Sequence, residues 1–347
     1  MVDLVALSFL PVSRWRLVAE RLRDGTAPQA ILQSECARTP RGGRRRTPSE
    51  LLTRAQFALE RADRFGLVGL AWDDPVVPEP LRHLVDPPPV VWVRGRLACL
   101  DRPAVAVVGS RAGSPYALAV AERLAGDLAA KGVVVVSGLA RGVDAAAHRG
   151  TLEAGGVTVG VLGCGADRVY PAEHAPLATA IVERGALISE LAPGTPPQPI
   201  FFPRRNRIIS ALARAVVVVE AGERSGSLIT ARCALEQGRD VLAVPGNVLS
   251  GRNRGGHALL RDGARLVESA DDVLEEIGLA ARPAGTADSP NRSDDPVLAC
   301  LWEGEAADLD EISAQSGLAI ESLLSRLLDL ELRGVVRRAG GGRFVRV

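Results

Sequence analysis

The chain has 347 residues, 47% of them hydrophobic, and a formal net charge of +1. This length exceeds one ordinary domain and fits two or three, and no apolar run approaches the ~20 residues of a membrane-spanning helix. The near-neutral total gives no global basic signal for nucleic acid, although it is compatible with a basic face.

The cysteines and the start of the chain indicate a reducing compartment. The five cysteines are scattered, with no pair at metal-ligand spacing, which predicts buried free thiols and no metal site. The first residues lack the basic start and apolar block of a secretory signal. We therefore expect a cytoplasmic protein. The cysteines are Cys36, Cys99, Cys164, Cys233 and Cys300.

Residues 1–66 are predicted to form a small helical domain. Apolar residues recur at helical spacing within 17–22 and again within 51–59, where Phe57 is counted among the apolar positions. The intervening stretch 39–48 is rich in arginine, glycine and proline. Such a stretch is either a solvated loop or an arm that contacts DNA.

Residues 67–278 are predicted to form one extended domain, in which short apolar strands alternate with amphipathic helices from about residue 103 to 277. Each strand is a nearly continuous run rich in β-branched residues, as expected for parallel strands covered on both faces. The alternation predicts a doubly wound, mostly parallel, Rossmann-like α/β sheet. The predicted strands are Ala104–Val108, Val133–Val136, Thr158–Leu162, Ala186–Ser189, Ala215–Val219 and Asp240–Val244.

The last part of the chain is predicted to be a linker, residues 279–295, followed by a winged helix, residues 296–347. The linker is poor in large apolar residues. The winged helix is indicated by three short helices and an alternating β-hairpin. The helices are predicted near Pro296–Trp302, Asp308–Ser316 and Ile320–Gly334, and the strands at Val335–Arg338 and Arg343–Arg346.

Candidate binding residues follow the predicted strands, because ligands of open α/β sheets bind at the carboxyl ends of the strands. The first strand is followed by Gly109, Ser110 and Arg111. Glycine lets a ligand approach the backbone, and arginine offers a forked donor to a phosphate.

The second strand is followed by a similar small-residue turn with Ser137, Gly138 and Arg141. Among these we expect Arg141 to bind a ligand. Asp144 is placed as a possible N-cap of the next helix. His148, one helical turn further, is interpreted as a structural hydrogen-bond partner and not as a general base.

The segment Phe202–Arg207 combines cations with an aromatic ring, which is what single-stranded nucleic acid requires for its phosphates and its bases. We expect Phe201 to belong to the core and one arginine to pair with an acid. The other side chains are candidate contacts: Phe202, Arg204, Arg205, Asn206 and Arg207.

The loop after the fifth strand leads into a helix through Ser225, Gly226, Ser227 and Thr230. Hydroxyl groups and backbone N–H groups at a helix start form an anion-binding nest.

The motifs of common nucleotide enzymes are missing from the sequence. There is no Gly-x-Gly-x-x-Gly fingerprint with a following acid, no P-loop, no nucleophile elbow and no convincing carboxylate pair. The sequence thus predicts phosphate-binding loops without a cofactor and without a catalytic group.

In these segments the chain resembles the DNA-processing protein A, or Smf, family. The resemblance spans residues 67–275 in order, and the helical N-terminus and the winged helix look like that family's flanking domains. The motifs that carry it are Gly109–Arg111, Ser137–Asp144 with His148, Phe202–Arg207, Ser225–Ala231 and Val244–Gly246.

The resemblance implies a competence protein for natural transformation. Such proteins bind and protect incoming single-stranded DNA and help to load the RecA recombinase, displacing single-strand-binding protein. It further implies a homodimer formed through the Rossmann domain, a SAM- or helix-hairpin-helix-like N-terminal domain, and a positive DNA pocket lined by Arg111 and Phe202–Arg207.

Two alternatives come from other functional classes. A Rossmann-type N-glycosidase of nucleoside monophosphates would need an acid at the helix start within 220–230, which the sequence does not provide. A winged-helix regulator would read duplex DNA with helix 320–334, yet this helix mixes acidic residues with arginines and is not distinctly basic.

Overall fold

The computed structural model divides the chain into two compact units, Met1–Leu279 and Ala280–Val347, and each is described by itself. The basic stretch at 39–45, nearly all of the predicted linker and the glycine-rich turn at 340–342 lie outside the described residues. The structure describes residues 1–38, 46–279, 295–301, 306–339 and 343–346.

The first unit contains a large sheet. Its strands are β1 Val68–Ala71, β2 Val90–Gly95, β3 Ala104–Val108, β4 Val134–Ser137, β5 Thr158–Val161, β6 Ala186–Ser189, β7 Ala215–Val218, β8 Asp240–Ala243 and β9 Arg265–Leu266. Within the described residues the strand order is β1-β2-β6-β5-β4-β3-β7-β8-β9. The strands from β6 to β9 in this order are parallel, whereas β1 and β2 form an antiparallel edge.

This topology confirms the predicted, mostly parallel, doubly wound sheet. All six predicted strands occur, and no end differs from its predicted position by more than one residue. The short strands β1 and β9 were not predicted, and β9, with two residues, is too short for a recognisable period.

The helices that cover this sheet occupy the segments between the strands. They are α1 Val2–Leu7, α2 Trp15–Arg23, α3 Pro28–Ala37, α4 Pro48–Arg64, α5 Glu79–Arg82, α6 Pro115–Ala130, α7 Val143–Glu153, α8 Ala175–Arg184, α9 Phe201–Leu212, α10 Ser227–Glu236, α11 Arg254–Arg261 and α12 Ala270–Glu276. In the described part of the chain, no helix is long and apolar enough to cross a membrane.

The central strand β3 shows how the core is divided between the two faces of the sheet. Its side chains alternate, so that Val105 and Val107 pack on one face with helix α6, while Ala106 and Val108 pack on the other face with helix α9. All five residues of β3 are buried. A strand covered on both faces needs apolar residues at every position, which explains its continuous hydrophobic run.

The N-terminal helices share one hydrophobic cluster with an edge of the sheet, since Leu7, Trp15 and Leu51 pack with Val90 and Trp92. Helix α4 buries residues 51, 55, 58 and 62, which follow the helical period. The expected apolar role of Phe57 was wrong, because this side chain is 64% exposed. It lies about 100° around the helix from residue 58 and so outside the buried stripe.

The second unit is a winged helix. Its helices are α13 Pro296–Ala299, α14 Leu309–Ser316 and α15 Ile320–Leu332, and its strands are β10 Ala306–Ala307, β11 Val336–Ala339 and β12 Arg343–Arg346, in the order β10-β12-β11. The core of this unit contains Ile312, Leu323, Leu327 and Phe344. The predicted helices and hairpin are confirmed, and the short strand β10 adds to them.

The cysteines differ in burial more than the sequence predicted. Cys99 and Cys164 are buried, and burial raises the pKa of each thiol to about 11. Cys233 and Cys300 are only partly buried.

His148 is a fully buried structural residue, as the sequence predicted. Its Nδ1 lies 2.7 Å from the hydroxyl of Thr158, which itself donates to the carbonyl of Val135. The Thr158 hydroxyl therefore accepts from His148, which places the proton on Nδ1. Burial, together with the charges of His174 and Arg205, lowers the pKa of His148 to about 3.

We expect His148 to make the free energy of unfolding depend on pH. The unfolded chain takes up a proton at His148 near pH 6.5, whereas the folded chain does so only near pH 3. Stability should therefore fall as the pH decreases through this window, by at most about 1.4 kcal/mol per pH unit from this group. Denaturant unfolding at pH 7 and pH 5 should show a smaller loss for His148→Gln than for the wild type, and equal losses would contradict the assignment.

Candidate functional site

A cavity of about 800 Å³ opens at the carboxyl edge of the sheet. It lies beyond β3, where the strand order reverses, with β4, β5 and β6 on one side and β7 and β8 on the other. Such a switch point separates the loops of neighbouring strands and leaves a crevice between them. The loops after β3 and β7 and the first turns of α9 and α10 meet there.

Most of the predicted site residues are brought together in this cavity. Those that line it are Gly109, Ser110, Arg111, Phe202, Arg205, Asn206, Ser225, Gly226, Ser227 and Thr230. Tyr170 and Arg224 also line the cavity, although they were not among the predicted site residues. Both could have been found, because Tyr170 lies in the loop after β5 and Arg224 directly precedes the predicted anion nest.

The loop after β3 is held by the buried acid Glu220. The Glu220 carboxylate accepts hydrogen bonds from the backbone N–H and the hydroxyl of Ser114, at 3.1 and 2.6 Å. Its backbone carbonyl accepts from the N–H of Ser110 at 2.7 Å. These bonds fix the turn that carries Arg111, whose side chain is exposed at the cavity and has no carboxylate partner within the described residues.

Two aromatic rings and a cation meet at the mouth of the cavity. The Phe202 and Tyr170 ring centroids are 5.4 Å apart at an interplanar angle of 37°. The Arg111 guanidinium carbon lies 5.5 Å from the Phe202 centroid, within the range of a cation–π contact. Gly163 makes room for the ring, because a Cβ atom there would lie 2.7 Å from Phe202 Cδ1.

Arg205 forms part of the cavity floor instead of projecting toward a ligand. Its Nη1 donates to the carbonyl of Gly138 at 2.6 Å and to that of Val161. Burial lowers its pKa to about 10. Gly138 lies against this guanidinium so closely that no Cβ atom would fit. We therefore correct the role of Arg205 from direct phosphate contact to a buried cation beneath the site.

The sequence suggested Asp144 as the N-cap of helix α7, but Gly142 occupies that position. The Asp144 carboxylate instead accepts from the backbone N–H groups of Gly138 and Ala140, at 3.1 and 3.4 Å. Burial raises its pKa, against the opposing effect of the Arg205 charge.

Arg204 and Arg207 do not line the cavity, because acids elsewhere in the fold bind them. Arg204 lies 2.7 Å from Asp86, and Arg207 lies 2.5 Å from Glu190. Arg204 also stacks over Trp15, at 4.4 Å. The sequence predicted that one arginine of this segment pairs with an acid, and the structure pairs two. Phe201 packs partly buried against the N-terminal core, as expected.

Residues after β4 also have structural partners. The Ser137 hydroxyl donates to the carbonyl of Val107 at 2.6 Å. Arg141 lies at the surface, where its Nη2 donates to Glu173 at 2.9 Å. Neither residue nor Gly138 lines the cavity, so the expected ligand contact of Arg141 is not part of this site.

The first turn of helix α10 lines the cavity. The N-cap is Gly226, whose carbonyl accepts from the Asn206 amide at 3.1 Å. The hydroxyls of Ser225 and Ser227 are 2.7 Å apart. Arg224, exposed beside them, forms no ion pair in the part of the chain that the structure describes. The dipole of helix α10, the two serine hydroxyls and the Arg224 cation together suit a phosphate.

Comparisons of the sequence with known families match both units. The profile of the family described as "DNA recombination-mediator protein A" matches residues 69–278, and that of the "DprA winged helix domain" matches residues 280–342. The chain is 40% identical to Protein Smf of Escherichia coli K12 over 285 residues, which are 79% of this chain and 76% of that protein. It is 44% identical over 269 residues to a putative DNA processing protein DprA of Mycobacterium tuberculosis, covering 75% of this chain and 69% of that protein.

Two solved structures are also similar. The X-ray structure of DNA processing protein A from Streptococcus pneumoniae has a TM-score of 0.65 and 36% identity, covering 78% of this chain and 94% of that chain. The second is the structure of DNA processing protein A from Helicobacter pylori, which is described as showing a unique single-stranded DNA binding mode. It has a TM-score of 0.56 and 29% identity. That match covers 61% of this chain and 95% of the other.

We expect Arg205→Ala to lower the free energy of unfolding by about 2–5 kcal/mol, because it leaves two buried carbonyls without their donor and removes the charge that opposes buried Asp144. Denaturant unfolding measures the loss. The control is Arg111→Ala, an exposed residue whose removal should change stability by no more than about 0.5 kcal/mol. Equal stabilities of the two variants would show that Arg205 does not hold the cavity floor.

Proposed function

The chain belongs to the DNA recombination-mediator protein A family, and we propose that it binds single-stranded DNA in the cavity at the carboxyl edge of its sheet. The family assignment supports a role in DNA processing. The single-stranded DNA binding described for the Helicobacter pylori protein supports the choice of ligand.

The observation that carries the proposal is the meeting of Arg111, Phe202 and Tyr170 at one cavity mouth. A single strand presents a phosphate and an unstacked base for each nucleotide, and proteins bind it by combining cations with aromatic faces. Phe202 and Tyr170 offer faces for a base, while Arg111 and Arg224 offer cations for the backbone. The buried charge of Arg205 adds positive potential from below.

We propose that the site binds DNA without cleaving it. Among the described residues that line the cavity, the acid is Asp144, which is buried and accepts hydrogen bonds from two backbone N–H groups. An N-glycosidase needs a carboxylate that reaches the sugar, and a carboxylate held in this way is poorly placed for that role. This arrangement supports binding over the hydrolysis of nucleoside monophosphates.

We further propose that the bound strand is protected and handed to the RecA recombinase, with displacement of single-strand-binding protein, during natural transformation. A cytoplasmic homodimer formed through the Rossmann domain belongs to the same proposal. Family membership is the support for these steps.

We propose that the winged helix contacts a protein in preference to duplex DNA. Its helix α15 exposes Leu324, Leu328 and Leu332, which lie four residues apart and so share one face, and Leu332 is 81% exposed. Glu321 and Asp329 also lie on this helix. An apolar and partly acidic surface is a poor match for the phosphates of a major groove.

We expect Arg111→Ala to weaken the binding of single-stranded DNA and to reduce the slope of log affinity against log salt by about 0.7, the contribution of one phosphate contact.

Phe202→Ala should cost about 1–3 kcal/mol of binding free energy, since it removes one stacking face. Fluorescence anisotropy with a labelled oligothymidylate at several salt concentrations measures both effects.

The matched control is Arg123→Ala, which removes an exposed arginine of helix α6 that lies outside the cavity. Its affinity and salt slope should equal those of the wild type. If Arg111→Ala behaved in the same way as this control, the cavity mouth would not be the DNA site.

Removal of residues 296–347 should leave the affinity for single-stranded DNA largely unchanged, because the first unit has its own core and contains the whole cavity. Anisotropy titrations of the truncated and full-length chains with single-stranded and duplex oligonucleotides test this. A collapse of single-strand affinity would place the main site in the winged helix.

A further inference from the structure

A second cavity, of about 520 Å³, lies in the first unit between helix α4, the chain that follows α1, and the loop after β6. We call it the α4 groove and define it by Arg46, Arg54 and Phe57 on one side and residues 191–198 on the other. The groove is not part of the cavity at the carboxyl edge.

One face of helix α4 lines the groove. Arg54, Phe57, Ala58 and Arg61 are spaced three and four residues apart, so their side chains lie on the same side of the helix. Phe57 is 64% exposed there, which leaves most of a large aromatic ring uncovered. An exposed ring beside arginines is not explained by the packing of the N-terminal core.

Two arginines of the groove contact the same residue, Phe9. The guanidinium carbon of Arg54 lies 4.3 Å from the ring centroid of Phe9, and Arg46 donates to the backbone carbonyl of Phe9. Burial and the charge of Arg46 lower the pKa of Arg54, as expected for two cations that are held close together. Arg61 differs, because it forms an ion pair with Asp167 at 2.5 Å.

No acid compensates these two charges within the described residues. The described lining of the groove contains no aspartate or glutamate, and neither Arg46 nor Arg54 forms an ion pair with a described carboxylate. Two like charges without a counter-charge destabilise the free protein, and an anion between them would remove this cost.

The groove and the first cavity are joined by one short segment. Gln198 and Phe201 line the groove, whereas Pro199 and Phe202 line the first cavity. The linings of the two cavities therefore adjoin at residues 198–202. A strand bound in the first cavity would need to cross only this segment to reach the groove.

We propose that the α4 groove is a second contact site for the same DNA strand, in which Arg46 and Arg54 bind phosphates and Phe57 stacks on a base. This proposal rests on the proposed function of the first cavity. Free cations, an exposed ring and continuity with that cavity favour a single strand over an acidic peptide, which would use the cations but does not require the continuity. Two linked contacts raise the affinity only for a strand long enough to reach both.

The test compares oligothymidylates from about 4 to about 16 nucleotides, the range over which single-strand sites differ in size. Wild type, the double variant Arg46→Ala/Arg54→Ala, Phe57→Ala and the control Arg64→Ala are titrated by fluorescence anisotropy. Arg64 is an exposed arginine of the same helix that lies outside the groove. Thermal unfolding of each variant confirms that the fold is retained.

With the longest strand, the double variant should lose about tenfold or more in affinity, and its salt slope should fall by about 1.4, which is two phosphate contacts. Phe57→Ala should lose affinity without a change in salt slope. With the shortest strand, all variants should bind as the wild type does, and Arg64→Ala should match it at every length.

Equal binding of the groove variants and the wild type at every length would overturn the proposal and leave the first cavity as the DNA site. Equal losses of affinity for short and long strands would also overturn the proposal, because the substitutions would then act by disturbing the first cavity and not by removing a second contact. Failure of the wild type to bind any strand would instead refute the proposed function itself, and the second site with it.

Discussion

The Arg205 guanidinium donates to the carbonyls of Gly138 and Val161, which follow β4 and end β5, and so joins helix α9 to the carboxyl edge of the sheet. A buried cation is costly to desolvate, and these hydrogen bonds offset part of that cost. Phe202 and Asn206 lie on the same helix and line the cavity, so these hydrogen bonds help to hold both residues in place. The floor of the cavity is therefore held by these two hydrogen bonds.

The arginines around α9 show how one residue type takes different roles in neighbouring positions. Arg204 and Arg207 are neutralised by Asp86 and Glu190 and tie the helix to the chain before β2 and after β6. Arg111 and Arg224 keep their charge available at the cavity mouth. This division explains how a chain with a net charge of +1 can present a positive site, because within the described residues Arg111 and Arg224 form no ion pair.

The start of helix α9 also lies between the two cavities. Phe201 and Phe202 are adjacent in sequence, yet they face the α4 groove and the first cavity respectively. Successive helical residues point about 100° apart, so a pair of neighbours can line two different surfaces. In the proposed DNA complex this segment would separate two successive parts of one strand.

The sequence by itself determined the sheet and the location of the site. Continuous runs rich in β-branched residues, such as Ala104–Val108, are typical of buried parallel strands, and the loops after such strands meet at one edge because all parallel strands end there. The helical period could not predict whether Phe57 is buried or exposed, since an aromatic residue at the margin of an apolar stripe can face either the core or the solvent. Only the tertiary structure decided which arginines are free. Asp86 lies 118 residues from Arg204, and ion pairing over that distance depends on how the chain folds back, which local sequence does not encode.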